Sequence, residues 1–111
     1  MKILVCGGRN YTKFWRVQDI LNEYEITEII CGGATGADAW ARSYGEKGEI
    51  PVKVLSAEWD LYGRAAGPIR NKLMLQEKPD LVIAFPGGKG TANMVRQAKE
   101  EGIEVREITE D

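Results

Sequence analysis

No histidine occurs among the 111 residues, and that absence removes several chemistries at once. A Ser-His-Asp or Cys-His nucleophile pair, an HExxH zinc helix and any two-histidine metal site all need an imidazole that this chain does not have. Cysteine is nearly absent too. Cys6 and Cys31 have neither CxxC spacing nor the partners of a zinc knuckle. Each closes an apolar run, so both read as small buried hydrophobes, and neither a metal nor a cofactor is expected. Long apolar runs are missing: none approaches the roughly 18 residues of a membrane span. Met1-Lys2 leads straight into Ile3-Leu4-Val5, too short a stretch for a signal-peptide core. A cytoplasmic protein without a membrane partner is expected. Nor is there an excess of basic residues. Fifteen Lys and Arg against 17 Asp and Glu give a formal charge of −2 and a pI near 5.3, where a DNA- or RNA-binding face normally carries a basic stripe. Nucleic acid is therefore disfavoured as a partner, whereas a local basic pocket for a small anion is compatible with the same numbers.

Glycine is what the chain has in excess, 13 residues against a usual share of about 7%. The length fits a single domain over 1–111. Along it, short apolar runs alternate with stretches of helical periodicity. Strands are expected at Lys2–Cys6, Thr27–Cys31, Val52–Leu55, Leu81–Phe85 and Glu104–Ile108. Helices are expected at Lys13–Tyr24, Ala37–Lys47, Pro68–Lys78 and Gly90–Glu101. Ser56–Gly67 has little periodicity and reads as a long loop. Gly48 and Gly102 fall just past helix ends, where a left-handed residue is wanted. This alternation predicts an α/β fold: an open, three-layer parallel sheet of about five strands, helices on both faces, in the order 3-2-1-4-5.

Eight of the glycines fall in three strand-to-helix turns: Gly7-Gly8-Arg9-Asn10-Tyr11, Gly32-Gly33-Ala34-Thr35-Gly36-Ala37-Asp38 and Pro86-Gly87-Gly88-Lys89-Gly90-Thr91. Glycine there permits positive φ and lets backbone amides approach a ligand, while the following helix offers unpaired N–H groups and the positive end of its dipole. In the expected strand order the three turns converge on the crevice outside the carboxyl ends of strands one, two and four. None matches the dinucleotide GxGxxG, and Gly88-Lys89-Gly90-Thr91 is not a Walker GK[ST].

The run from Leu81 to Thr91, ending in Pro86-Gly87-Gly88-Lys89-Gly90-Thr91, resembles the PGGxGT signature of the SLOG superfamily, which includes the LONELY GUY phosphoribohydrolases and the Rossmann-like domain of DprA. With CGGRNYT, CGGATGAD and AEWDLYGRAAGPIRN added, the chain resembles the YspA-type branch, small proteins frequent in bacteria and phages. The resemblance covers nearly the whole chain. It implies a Rossmann-like fold, a nucleotide or nucleotide-derived ligand of ADP-ribose type, and a link to bacterial and phage-defence signalling. It also implies a phosphate cradle at Gly87, Gly88, Gly90 and Thr91 after Pro86, helped by Gly32, Gly33, Thr35 and Gly36. Arg70, beside Asn71, falls where the phosphoribohydrolases place an arginine, and its planar fork suits a phosphate.

One departure bears on activity. The hydrolases continue PGGxGTxxE, and their glutamate acts at the ribose and the scissile bond; here Met94 stands at that position. Methionine cannot carry a proton, so binding rather than catalysis is the leading expectation, as a sensor or sequestering module. The alternative is an N-glycosidase or phosphoribohydrolase acting on a nucleotide, with its carboxylate relocated to Asp38, Glu58 or Asp60. Asp38 is either a dipole-favoured acid of a first helical turn or a ribose or base contact. Trp59 and Tyr62 either stack on a base or pack locally. Gly8, Arg9 and Tyr11 sit on the first glycine turn, within reach of the same crevice. Lys89, in the third turn, would steer anions. Trp15 and Trp40 read as core or interface. A homo-oligomer, dimer or higher, is expected, using the Pro68–Lys78 helix.

Overall fold

Lys2 to Cys6 send alternate side chains to opposite sides of the backbone, and the residues on both sides are apolar, as for a strand covered on two faces. In the computed structural model, which describes residues 1–109, this strand is β1 (Lys2–Cys6), the middle of a five-stranded sheet. It is followed by α1 (Phe14–Leu21), β2 (Glu28–Gly32), α2 (Ala37–Lys47), β3 (Val52–Leu55), α3 (Trp59–Tyr62), a 3₁₀ turn (Gly63–Ala65), α4 (Ala66–Leu75), β4 (Leu81–Ala84), α5 (Lys89–Glu100) and β5 (Val105–Glu107). The strand order is β3-β2-β1-β4-β5 with every pairing parallel, the Rossmann-like arrangement predicted above. Glu110 and Asp111, the end of the expected 1–111 domain, lie outside the described residues.

The period-2 alternation divides the core. Ile3, Val5, Ile29, Leu81 and Ile83 face α1 and α2, meeting Val17, Ile20, Leu21, Ala37 and Ala41. Leu4, Cys6, Ile30, Val82 and Ala84 face the other way, onto Met74 and Leu75 of α4 and Met94 and Ala98 of α5. Right-handed crossovers thus put one helix pair on each face and leave the β1–β4 junction open at its carboxyl end. Among the described residues no helix is long and apolar enough to cross a membrane.

Several local expectations are corrected. Ser56–Gly67 is not one loop, since it contains α3, the 3₁₀ turn and the start of α4 at Ala66. Pro68 therefore sits third in its helix rather than first, still within the turn whose N–H groups have no intrahelical acceptor. The helix over 13–24 is shorter, closing at Leu21, although Tyr24 still packs on the core. Gly48 has φ −89°; the left-handed residue after α2 is Glu49, at φ 56°. Gly102 does take the left-handed conformation, at φ 74°. Trp15 and Trp40 are not core residues: they are 52% and 39% exposed.

This division of the core predicts contrasting outcomes for two truncations. Leu4→Ala removes a fully buried side chain from the central strand and lowers unfolding stability by about 2–5 kcal/mol. Trp15→Ala, although it removes more atoms, stays within about 0.5 kcal/mol. Urea midpoints at an unchanged denaturant slope check both.

Candidate functional site

The strands β1 and β4 are neighbours in the sheet, yet their following helices lie on opposite faces, so a crevice opens between the two turns. It measures about 600 Å³. Gly8, Arg9 and Tyr11 line it from the first turn and Pro86, Gly87, Gly88, Gly90 and Thr91 from the third. Asp38, Trp59, Arg70 and Asn71 close the remaining sides. Gly33 and Thr35 line an adjoining hollow that shares Arg9, Trp59 and Arg70 with the crevice. Gly32 and Gly36 line neither; they lie beneath the site.

Close approach, more than positive φ, is what requires glycine here. Within the three turns only Gly36 is left-handed, at φ 74°. A Cβ on Gly87 would lie 2.7 Å from the Gly8 nitrogen, and one on Gly8 would lie 3.0 Å from the Pro86 oxygen. The turns are also bonded to each other: Gly8 N–H donates to Pro86 O at 2.9 Å, and Ala37 N–H donates to Gly8 O at 3.2 Å.

That last bond distinguishes the two helix N-termini at the site. The amide of Ala37, at the start of α2, is engaged by Gly8 O, and the same turn carries the Asp38 carboxyl, which disfavours a second anion. At α5 the N-cap is Gly88, no side chain caps the helix, and no acid lies in its first turn. The amides of Lys89, Gly90 and Thr91 therefore lack the intrahelical acceptors that later residues have. Lys89 lines the crevice beside them. A helix end of this kind can take an anion.

Arg70 is aimed by a chain of amides. Its Nε donates to Asn71 Oδ1 at 3.1 Å and its Nη1 to Leu55 O at 3.2 Å. Asn71, buried, donates in turn to Gly90 O at 3.2 Å and to Asn93 Oδ1 at 3.1 Å. Gln97 donates to the same Asn93 oxygen at 2.7 Å and to Pro68 O at 3.1 Å. One network thus fixes the arginine fork and the third glycine turn relative to each other. Nothing in the sequence pointed to Asn93 or Gln97; their i, i+4 spacing on α5 is the one signal that pairs them.

Asp38 sits against Arg70 across Gly32. A Cβ on Gly32 would run into Arg70 Nη1 and lie 2.8 Å from Asp38 Oδ2, so the absent side chain is what admits both groups. Burial pushes the Asp38 pKa up to about 6, against the opposing pull of Arg70 and of backbone hydrogen bonds at Ala34 and Gly32. Of the three carboxylates considered from sequence, Asp38 alone lines the crevice; Glu58 and Asp60 flank Trp59 but are exposed and outside the lining. Tyr62, 47% exposed, is likewise outside the lining. Cys6 reaches the crevice floor, but burial raises its thiol to about 12, far from a reactive thiolate. Met94, at the hydrolase glutamate position, is 1% exposed and packs in the core between α4, α5 and the sheet, so α5 presents no carboxylate there. Among the described residues no group of three or more Cys, Asp or Glu is arranged to hold a metal ion.

Residues 1–62 match the family model of the YspA, cpYpsA-related SLOG proteins. The Gene 61 protein of Mycobacterium phage D29 is 31% identical over 117 aligned residues, covering 94% of this chain and 93% of that protein. Among solved structures, DNA processing protein A (DprA) of Streptococcus pneumoniae superposes with a TM-score of 0.80 at 20% identity. The match covers 99% of this chain and 50% of the DprA chain, so this chain spans half the length of that structure and shares its fold.

The raised Asp38 pKa has a signed consequence for stability. The folded chain holds this proton up to about pH 6, whereas the unfolded chain releases it near 3.8. The group's contribution is therefore complete below about pH 4 and lost as pH rises through 6; two units correspond to about 3 kcal/mol. In Asp38→Asn, which cannot titrate, stability relative to the parent rises by about that amount between pH 4 and pH 7. Urea unfolding across this range checks it. If Asp38 acted chiefly as a stabilising partner of Arg70, the trend would have the opposite sign.

Proposed function

The chain belongs to the YspA, cpYpsA-related SLOG family, and we propose that it binds a nucleotide or nucleotide-derived small molecule through a phosphate group, as a sensor or sequestering module. The observation that carries this is the uncapped N-terminus of α5 facing the same crevice as the Arg70 fork. Fixed amides and a guanidinium held by Asn71 supply charge-assisted hydrogen bonds without having to be ordered on binding. A relative encoded by a mycobacteriophage supports a setting in bacterial and phage-defence signalling. A cytoplasmic homo-oligomer belongs to the same proposal, with Leu73, 48% exposed on α4, as an apolar contact.

A second activity is favoured by one observation. Asp38 is a buried carboxyl on the crevice wall with a pKa of about 6, near the pH at which a general acid or base works best. In that case the ligand is hydrolysed at its N-glycosidic bond, and base released from AMP or NAD, followed by chromatography, disappears in Asp38→Asn. Binding without release favours the sensor.

Calorimetry and thermal shift with AMP and ADP test the proposal. A ligand at 100 times its dissociation constant adds about 2.7 kcal/mol to stability. Arg70→Ala weakens binding about 10–100-fold, the worth of a hydrogen bond to a charged group, and Arg70→Lys recovers only part of it because the ammonium lacks the fork. If no phosphate-bearing compound shifts the unfolding temperature, the site has been misread.

A further inference from the structure

Neither Asn93 nor Gln97 lines the crevice, yet each amide between Gln97 and Arg70 has its orientation imposed by the next. A guanidinium has N–H donors and no acceptor, so Asn71 has to turn its oxygen to Arg70 Nε, at 3.1 Å. The Asn71 nitrogen then faces the other way, and its two N–H groups go to Gly90 O at 3.2 Å and Asn93 Oδ1 at 3.1 Å. An amide nitrogen only donates, so Asn93 has to present its oxygen in turn. Gln97 donates to that same oxygen at 2.7 Å and gives its other N–H to Pro68 O at 3.1 Å.

This chain has one working arrangement. Turning over Asn71 or Asn93 would set donor against donor or oxygen against oxygen at hydrogen-bond distance. Asn71 is 3% exposed, so water does not repair a mismatch there, and a buried donor left without a partner is costly. Thr91 is the last residue of α5 to line the crevice, and Gln97 lies about 9 Å further along the helix axis. Through Gln97 and Asn93, α5 holds α4 on both sides of Arg70, at Pro68 before it and at Asn71 after it.

Resting on the nucleotide-binding reading above, we propose that Asn93 and Gln97 are positioning residues, which fix the direction of the Arg70 guanidinium and through it the affinity of the crevice for an anion. Neither touches the ligand. An arginine side chain carries much rotamer freedom, and a side chain held before binding has less of it to lose when the ligand arrives. Removing either amide leaves Arg70 charged but free to turn, so affinity falls through misdirection and not through loss of charge. What position 93 requires is an oxygen that accepts twice. A carboxylate meets that requirement and an apolar side chain does not.

Calorimetry with AMP on the whole chain, together with NMR of the ligand-free protein, tests this. Gln97→Met and Asn93→Leu each weaken AMP binding about five- to tenfold, within the range for residues coupled in one hydrogen-bond network. In an Arg70→Ala background the same substitutions change affinity less than about twofold, because the group they position is gone. In the ligand-free chain both speed the solvent exchange of Arg70 Nε–H, whereas Asn93→Asp, which keeps the double acceptor, retains slow exchange. Equal losses with and without Arg70, or Nε–H exchange unmoved by both neutral substitutions, overturn the positioning role while leaving nucleotide binding intact. Failure of AMP to bind the parent overturns the nucleotide-binding reading, and the effect on affinity with it.

Discussion

Three turns meet at Gly8 with no room for a side chain between them. The Gly8 carbonyl accepts from Ala37 and Tyr11, its amide donates to Pro86 O, and a Cβ on Gly36 or Gly87 would run into its backbone. Backbone polar groups buried in this way need partners, and here each turn supplies one to the next. Any Cβ would push the turns apart and with them the two walls of the crevice. The site is therefore a property of backbone packing first, and side chains are added to a frame already set.

Within that frame the two helix N-termini take different roles. The start of α2 is bonded to Gly8 and carries Asp38, whereas α5 begins at Gly88 with no side-chain cap. Burial raises the Asp38 pKa to about 6, so the carboxyl keeps most of its charge at pH 7 and loses it as pH falls through 6. Arg70 donates to Asn71 Oδ1 and Leu55 O, and Asn71 is fixed in turn by Asn93, whose amide oxygen also accepts from Gln97. With no histidine in the chain, unreactive buried thiols and Met94 packed in the core, the groups left at the crevice are amides, guanidiniums, the Tyr11 and Thr91 hydroxyls, an ammonium and one carboxyl.

Much of this was legible in the residue order. Alternate residues of Lys2–Cys6 and Leu81–Ala84 face opposite layers, so strand identity followed from period, while crossover hand left few sheet orders, among them the expected and observed 3-2-1-4-5. The glycine turns marked the crevice because they sit directly after strands. What escaped depends on tertiary context. Ser56–Gly67 shows no periodicity because α3 is only Trp59–Tyr62 and buries none of its residues. A helix separates neighbours by about 100°, so Trp59 lines the crevice while Asp60, next in the chain, does not. Asn93 and Gln97 matter through Asn71, 22 residues from Asn93, and no local pattern encodes such a pairing. Glu49, rather than Gly48, took the left-handed turn after α2, a choice between adjacent residues that composition cannot make.

The central claim is that an anion sits on the α5 amides under the Arg70 fork. Titrating the ¹⁵N-labelled chain with AMP and following its backbone amides and arginine Nε–H by NMR tests it most directly. The account predicts saturable shifts concentrated at Gly88, Lys89, Gly90 and Thr91 and at Arg70 Nε–H, with little change along the outer face of α1 and α2. Shifts centred instead on Phe14 of α1 and Trp40 of α2, whose rings lie 5.4 Å apart, or no saturable shifts at the third glycine turn, would contradict it.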